Sequence, residues 1–271
     1  MDLGLSGAKV VIAGGTKGMG LAAARCFAED GANVAVLARG KGALDEALEQ
    51  LREWGSPAPL AIQTDLRDDA AVGRAFARIS EAWGGVVNTL VNAAGPEEVS
   101  AGSVEDLTDE GWVAAFDMGT LAAVRCVRAC LPLLRAAEWG RIVNLSAHSV
   151  KRQTPGLIAY TASKAALTSV SKNLSQSLAP EEILVNTISP GSFLSAGLRR
   201  YLEGLPPERN VDPDDVYDAM RAISEDFGHP AYMPRAGRPD EIGPVIAFVG
   251  SPRNSYMTGA DINVDGGSDF A

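Results

Sequence analysis

The sequence predicts an α/β protein built on a parallel sheet with helices over both faces. Short apolar segments alternate with amphipathic helical segments along the chain, and a glycine-rich turn follows the first apolar segment. Parallel strands need helical crossovers, and these crossovers cover both faces of the sheet. The 271 residues suffice for one large domain or two small ones, with a substantial core.

Composition and charge exclude some classes of function. The formal net charge is −10 and the isoelectric point is about 4.8, whereas a protein that binds nucleic acid usually presents a basic face. An anionic cofactor stays possible, because it needs only one local basic spot. No apolar run reaches the length of a membrane span, and the N-terminus lacks a signal pattern. We therefore expect no nucleic acid, no membrane and a cytoplasmic location.

The three cysteines predict neither a disulfide framework nor a metal site. Cys126 and Cys130 stand four residues apart in a helical pattern without a histidine cluster, and Cys26 is remote from both. We interpret all three as core or semi-core thiols in a reducing compartment, and we expect no metal.

The first fifth of the chain predicts a dinucleotide site. An apolar strand, Lys9–Ala13, leads into the glycine turn 14–20, then into a helix over 21–30 and a second strand over 33–37. Glycines let the backbone approach a pyrophosphate at the helix N-terminus, where free N–H groups point at the anion. A glycine turn without a ligand is the alternative. The candidate contacts in the turn are Gly14, Thr16, Lys17, Gly18 and Met19.

The end of the second strand favours NADP(H) over NAD(H). An acidic residue there would bind a ribose diol, but this chain has Ala38 and Arg39. A cation suits a 2′-phosphate, and Lys17 adds a second cation from the glycine turn. The alternative is that both are ordinary surface cations.

Later segments continue the alternation. Further strands are predicted over 60–64, 86–91 and 183–188 and at Asp261–Val264, and helices over 42–54, 68–83 and 109–137 and at Pro239–Val249. Ligands of such sheets bind beyond the carboxyl ends of the strands. We therefore expect one edge to collect Gly14, Arg39, Asp65, Asn92 and the segment after Leu145.

A tyrosine and a lysine four residues apart predict acid–base chemistry. Tyr160 and Lys164 stand in the helical run AYTASKAAL, so both side chains lie on one face. An ammonium beside a phenol favours the phenolate and lowers the phenol pKa. Tyr160 could then protonate a carbonyl oxygen as hydride arrives, or take the proton back. A surface lysine beside a half-buried tyrosine is the alternative.

Taken together, GGTKGMG, NAAG, YTASK and Pro190-Gly191 resemble the short-chain dehydrogenase/reductase family over nearly the whole chain, particularly its NADP-preferring ketoacyl reductases. The resemblance implies one Rossmann-type doubly wound domain over residues 1–271, with a seven-stranded parallel sheet, and a homotetramer or homodimer. It also implies cofactor roles: adenine contacts from Asp65 and Leu66, a cleft shaped by Asn92 and Gly95, ribose binding by Lys164, a turn at Gly191 and carboxamide binding by Ser195.

Two residues depart from the family pattern. The family's helix asparagine is Gly119 here, and its serine 13 residues before the tyrosine is Ala147. The missing serine would donate a hydrogen bond to the substrate oxygen, and losing one such donor commonly costs about 10²–10³ in rate. The candidate substitutes are Ser146, His148 and Ser149, each of which could instead face solvent or bond its own loop. Glycine at 119 would leave room for a water.

Residues 192–237 are too long for a plain connection, which predicts a functional segment or one with helices of its own. The family resemblance implies a substrate lid there. Their apolar residues predict a roomy hydrophobic pocket and a small, apolar carbonyl or alcohol substrate. Packing against a neighbouring subunit is the alternative. With Gly228 and Pro230 beside it, His229 is interpreted as a loop residue rather than a ligand.

The sequence favours an NADP(H)-dependent oxidoreductase that interconverts a carbonyl and a secondary alcohol. Ketoacyl thioester, steroid, sugar and small ketone substrates all fit. The first alternative is an NADP(H)-binding sensor or scaffold with weak or no catalysis, motivated by Ala147 and Gly119. The second is a Rossmann-type enzyme with another nucleotide-like ligand.

Overall fold

The seven-stranded parallel sheet is confirmed. A computed structural model describes residues 2–96 and 102–269. The strand order is β3-β2-β1-β4-β5-β6-β7, and every neighbouring pair is parallel. The strands are β1 Lys9–Ala13, β2 Asn33–Ala38, β3 Leu60–Gln63, β4 Thr89–Asn92, β5 Gly140–Leu145, β6 Ile183–Pro190 and β7 Asp261–Val264.

Helices cover both faces of this sheet, as the sequence predicts. They are α1 Gly18–Glu29, α2 Lys41–Glu53, α3 Asp69–Trp83, α4 Asp109–Phe116, α5 Ala122–Arg135, α6 Ile158–Leu178, α7 Ala196–Glu203, α8 Val216–Phe227 and α9 Pro239–Val249. Alternate side chains of β1 point to opposite faces, so Ile12 packs with α1, α2 and α9, whereas Val11 packs with α3 and α5. Each face of the sheet therefore has an apolar core of its own.

Most element boundaries follow local chemistry. The Asp68 carboxylate caps α3 by accepting from the backbone N–H groups of Ala70 and Ala71, and Gly84 ends that helix with φ 66°. The strand predicted over 86–91 begins only at Thr89. Asn88 instead bonds through its backbone N–H to the carbonyl of Lys9.

The helical region predicted over 109–137 contains a π-helical turn, Asp117–Leu121, between α4 and α5, while Pro132 lies inside α5. Gly119 stands in that turn. A Cβ there would overlap the hydroxyl of Ser163 and lie 2.7 Å from its Cβ. The expectation that Gly119 leaves room for a water is therefore wrong at the position of the absent side chain, because Ser163 of α6 fills that space.

The segment 192–237 has its own small core. Its buried members are Leu194, Leu198, Leu202, Val216, Ala219, Ala222 and Ala236. The apolar residues that predicted a hydrophobic pocket thus pack mainly against one another across α7 and α8. They no longer support an apolar substrate.

Within residues 2–96 and 102–269, no helix is long and apolar enough to cross a bilayer. The same residues contain no group of three or more histidine, cysteine, aspartate or glutamate side chains that could hold a metal ion. Cys126 and Cys130 are buried free thiols, and burial raises the pKa of Cys126 to about 12.

The contact between Gly119 and Ser163 leads to a stability prediction. We expect Gly119→Ala to lower the free energy of unfolding by about 1–3 kcal/mol, because overpacking forces neighbours to shift. Combining it with Ser163→Ala should recover part of that loss, so the two effects should not add. Urea denaturation measures both.

Gly111 in α4 offers a matched control. A Cβ at that position would lie 3.7 Å from Leu107 Cδ2, which is an ordinary contact. Gly111→Ala should therefore leave stability unchanged or raise it. Equal effects of Gly119→Ala and Gly111→Ala would contradict the packing argument.

Candidate active site

The glycine turn lies against the loop after β4, where the strand order reverses direction. Gly14 has φ 87°, and a Cβ there would lie 2.7 Å from the backbone nitrogen of Ala94. A Cβ on Gly20 would overlap the carbonyl oxygen of Gly14. Only glycine fits either position, so the chain can turn sharply and start α1 at Gly18. The N–H groups of that first helical turn form a cradle for an anion.

Two cations flank this cradle. Lys17 is the exposed N-cap residue of α1, and Arg39 is exposed directly after β2. Thr16 and Met19 in the same turn are half-buried, and Met19 packs against the core. The residues predicted for phosphate binding therefore share one edge of the sheet.

Asp65 and Leu66 follow β3 at the same edge. The Asp65 carboxylate accepts from the Arg67 guanidinium at 2.8 and 3.1 Å. These bonds, aided by charge attraction to Arg67 and Arg39, lower the pKa of Asp65 to about 2. The Leu66 side chain is buried in the core, and its carbonyl accepts from Arg125. The Leu66 side chain therefore belongs to the core, and its adenine contact stays a prediction.

Asn92 ends β4 and belongs to a polar chain beneath the site. Its Nδ2 donates to Asn144 Oδ1 at 2.8 Å, and Asn144 Nδ2 donates to the Ser171 hydroxyl of α6 at 2.8 Å. Asn92 Oδ1 is buried and has no partner within the described ranges. Gly95 lies close above, since a Cβ there would be 3.0 Å from Lys164 Nζ.

Tyr160 and Lys164 occupy successive turns of α6, as their spacing predicts. The Lys164 side chain is buried, and its Nζ donates to the carbonyl of Leu145, the last residue of β5, at 2.8 Å. Burial lowers the pKa of Lys164 to about 8. The lysine therefore stays mostly protonated at neutral pH, and Tyr160 is half-buried beside it.

The loop after β5 contains the three candidate donors and Ala147. The Ser146 hydroxyl lies 3.1 Å from the Lys164 carbonyl and 2.8 Å from the Thr168 hydroxyl, so it holds the loop onto α6. The Ala147 side chain is buried and supplies no polar group. The Ser146 hydroxyl is thus already used in hydrogen bonds within the fold.

His148 is buried, and its Nδ1 lies 3.1 Å from the carbonyl oxygen of Pro190. A carbonyl only accepts, so Nδ1 carries the proton. Burial lowers the pKa of His148 and favours the neutral ring. Nε2 of that ring then holds a lone pair, so neutral His148 cannot supply the missing donor through Nε2.

Ser149 differs from both of these neighbours. It is buried in the short 3₁₀ turn His148–Val150, and its hydroxyl has no partner in the described part of the chain. Its O–H can still donate a hydrogen bond.

His229 belongs to this region, which its sequence context did not predict. It is buried, and its ring packs edge-to-face on His148 with centroids 4.9 Å apart. Flanking Gly228 and Pro230 indicate a loop, and nothing local reveals that the loop reaches the turn after β5.

Gly191 directly follows β6, and Ser195 lies near the start of the segment 192–237. A Cβ on Gly191 would lie 2.7 Å from Asp265 Cα, so the chain passes close to the end of β7. The Ser195 hydroxyl caps α7 by accepting from the backbone N–H of Leu198 at 3.2 Å. A Cβ on Gly18 would be 4.0 Å from Ser195 Cβ, so Ser195 faces the glycine turn.

Comparison with known proteins agrees with this arrangement. Residues 13–269 match a family model described as enoyl-(acyl carrier protein) reductase. The uncharacterized oxidoreductase YvrD of Bacillus subtilis (strain 168) is 30% identical over 267 residues, covering 98% of each chain. The 2,5-dichloro-2,5-cyclohexadiene-1,4-diol dehydrogenase LinX of Sphingobium indicum is 31% identical over 263 residues, covering 97% of this chain and 96% of LinX.

Solved structures extend the likeness to the whole chain. L-sorbose reductase from Gluconobacter frateurii, complexed with NADPH and L-sorbose, superimposes with a TM-score of 0.92 at 29% identity and covers 100% of each chain. A short chain dehydrogenase from Burkholderia cenocepacia J2315, in complex with NADP, gives a TM-score of 0.81 at 30% identity over 98% of this chain and 99% of the other.

Proposed function

The chain belongs to the short-chain dehydrogenase/reductase family, and we propose that it interconverts a carbonyl and a secondary alcohol with Tyr160 as the acid–base group. One observation carries the proposal. Lys164 is buried one helical turn from Tyr160, at the carboxyl edge of the sheet and beside Gly95. A buried ammonium in that position favours the phenolate and poises the phenol for proton transfer.

The cofactor, Tyr160 and Lys164 have different roles in the proposed reaction. NADP(H), when bound, supplies or accepts the hydride at the substrate carbon. Tyr160 gives its phenolic proton to the substrate oxygen during reduction, and takes a proton from the alcohol during oxidation. Lys164 stabilises the phenolate left on Tyr160, and its bond to the Leu145 carbonyl fixes its position.

We propose Ser149 as the auxiliary donor to the substrate oxygen. Its hydroxyl is buried without a partner in the described ranges, whereas the hydroxyl of Ser146 is occupied and neutral His148 presents a lone pair at Nε2. A second hydrogen bond would help to stabilise the negative charge that develops on that oxygen.

The cofactor proposal is NADP(H) in preference to NAD(H). Gly14 and Gly20 let the chain turn tightly into α1, which begins at Gly18, and the free N–H groups of that first helical turn suit a pyrophosphate. The exposed cations Lys17 and Arg39, which follow β1 and β2 at the same edge of the sheet, would suit a 2′-phosphate, and two similar proteins were solved with NADPH or NADP. Asn92, Gly191 and Ser195 would line the nicotinamide end.

A second candidate is an NADP(H)-binding sensor or scaffold with weak or no catalysis. The buried side chain of Ala147 favours it, because it puts a methyl group where the family has a hydroxyl. The two candidates differ in one outcome, which is turnover after cofactor binding.

We further propose that residues 192–237 act as a substrate lid, since Ser195 faces the glycine turn at one end of that segment.

Exposed apolar side chains of Val113, Leu121 and Phe248 support a homodimer or homotetramer. Free buried thiols at Cys126 and Cys130 suit a reducing compartment such as the cytoplasm.

Tyr160→Phe tests the catalytic role. It removes one oxygen atom, so we expect kcat to fall by about 10²–10⁴-fold while NADPH affinity stays within about twofold. Stopped-flow absorbance and fluorescence titration measure the two quantities. Tyr256→Phe is the matched control, because Tyr256 is 98% exposed. Turnover of Tyr160→Phe at the wild-type rate would reject the role.

Arg39→Ala tests the cofactor preference. Hydrogen bonds to charged groups contribute about 1.5–3 kcal/mol, so NADPH affinity should fall by about 10- to 100-fold and NADH affinity should hardly change. Arg52→Ala, at the exposed far end of α2, controls for net charge. Equal losses for both cofactors, or wild-type NADH affinity equal to that of NADPH, would refute the preference.

The assembly is tested by light scattering at micromolar concentration. We expect two or four times the chain mass of 28.3 kDa, because the exposed apolar faces should be covered in an oligomer. A single-chain mass would contradict the proposed assembly.

A further inference from the structure

Two buried imidazoles connect the turn after β5 with the segment 192–237. His148 is 6% exposed and His229 is 3% exposed. Their ring centroids are 4.9 Å apart, and the ring planes meet at 73°. They are also the only two histidines in the chain. A buried histidine pair outside any metal site calls for a physical explanation.

Each ring donates one N–H to the main chain. His148 donates through Nδ1 to the Pro190 carbonyl at 3.1 Å. His229 bonds to the main chain of Gln153, and this bond opposes the lowering of its pKa, as donation to a carbonyl does. Because Nε2 of His229 has no partner, its Nδ1 makes that bond. Both rings therefore carry their proton on Nδ1.

Both rings are neutral near pH 7. Burial is the main cause, and it lowers the pKa of His229 to about 4, with positive charge on His148 or Arg152 opposing protonation further. Burial also lowers the pKa of His148, although Asp265 and Asp269 oppose this and Arg152 adds to it. A neutral ring protonated at Nδ1 presents a lone pair at Nε2.

Two acceptor atoms thus lie buried without a donor from residues 2–96 or 102–269. Leaving a buried polar atom without its hydrogen bond costs about 1–3 kcal/mol. Two such atoms in contacting side chains indicate a ligand that brings its own donors. A metal ion is disfavoured, because the described residues offer no third ligating side chain nearby.

The pair lies on the substrate side of the site. His148 directly follows Ala147, and it bonds the carbonyl of Pro190, which precedes Gly191. The hydroxyl of Ser149 adds a further buried polar atom without a partner. His229 enters from the proposed lid, so the ligand that meets both rings would be the substrate and not the adenine end of the cofactor.

We infer that Nε2 of His148 and Nε2 of His229 accept hydrogen bonds from hydroxyl groups of the substrate, so that the enzyme acts on polyhydroxylated carbonyl compounds. The inference rests on the proposed function. A simple ketone brings no O–H donor and would leave both lone pairs unsatisfied. Since the two rings cover each other here, the chain around His229 must separate from the turn of His148 to admit these hydroxyl groups.

Matched substrates and variants test this assignment. D-xylulose should exceed 2-pentanone in kcat/KM by at least about 100-fold, because a site built for hydroxyl groups rejects analogues that lack them. His148→Leu and His229→Leu should each reduce this preference by about 3- to 10-fold, the range that corresponds to one net hydrogen bond. The corresponding Gln variants keep an acceptor oxygen and should restore part of it.

A direct readout is nitrogen NMR of the enzyme with ¹⁵N-labelled histidine. With NADP⁺ bound, xylitol should move both Nε2 signals, and 2-pentanol should leave them in place. Equal kcat/KM for D-xylulose and 2-pentanone, or protonated Nε2 atoms at pH 7, would overturn the inference and leave the proposed function intact. No turnover across a whole panel of polyhydroxylated and simple ketones would refute the proposed function, and Nε2 signals unmoved by xylitol would refute the inference.

Discussion

The buried ammonium of Lys164 is the charge on which the site depends. It donates to the carbonyl of Leu145, and so joins α6 to the end of β5. Removing an ammonium from water costs several kcal/mol, and the lowered pKa of about 8 reflects that cost. The fold bears this cost one helical turn from Tyr160, the proposed acid–base group. The same charge would be lost as the pH rises through about 8.

Several glycines make this arrangement possible. Gly95 leaves space beside the Lys164 ammonium, and Gly14 lets the first turn lie against Ala94. Gly119 admits the Ser163 hydroxyl, which donates to the carbonyl of Tyr160 at 2.7 Å. The glycine that breaks the family pattern at 119 is therefore matched by a serine on α6, so the two helices stay in close contact where the asparagine is absent.

The sheet, and the gathering of Gly14, Arg39, Asp65 and Asn92 at its carboxyl edge, could be predicted from the sequence because they rest on local chemistry. Alternating apolar segments, the glycine turn and the Tyr160–Lys164 spacing are all readable within a few residues. Contacts between distant segments could not be predicted. Ser163 fills the space at Gly119, and His229 meets His148 across 80 intervening positions. The apolar residues of 192–237 looked like a pocket lining, because sequence does not reveal that they pack on one another.

Ala147 stands where the family has a serine, and the choice between an active oxidoreductase and a cofactor-binding sensor depends on whether another group replaces that serine. The geometry offers Ser149 as a donor and two imidazole lone pairs as acceptors, all buried and without partners in the described residues. Such a set suits a substrate with hydroxyl groups. A protein that only senses the cofactor would have no use for unpaired polar atoms on the substrate side.

The most direct test of the central claim is one experiment on the unmodified enzyme. NADPH is titrated by fluorescence, and polyhydroxylated and simple ketones are then added to the same cuvette while NADPH oxidation is followed. The account predicts saturable binding followed by turnover, fastest with a polyhydroxylated ketone. Saturable NADPH binding without oxidation across the whole panel would contradict it and favour the sensor.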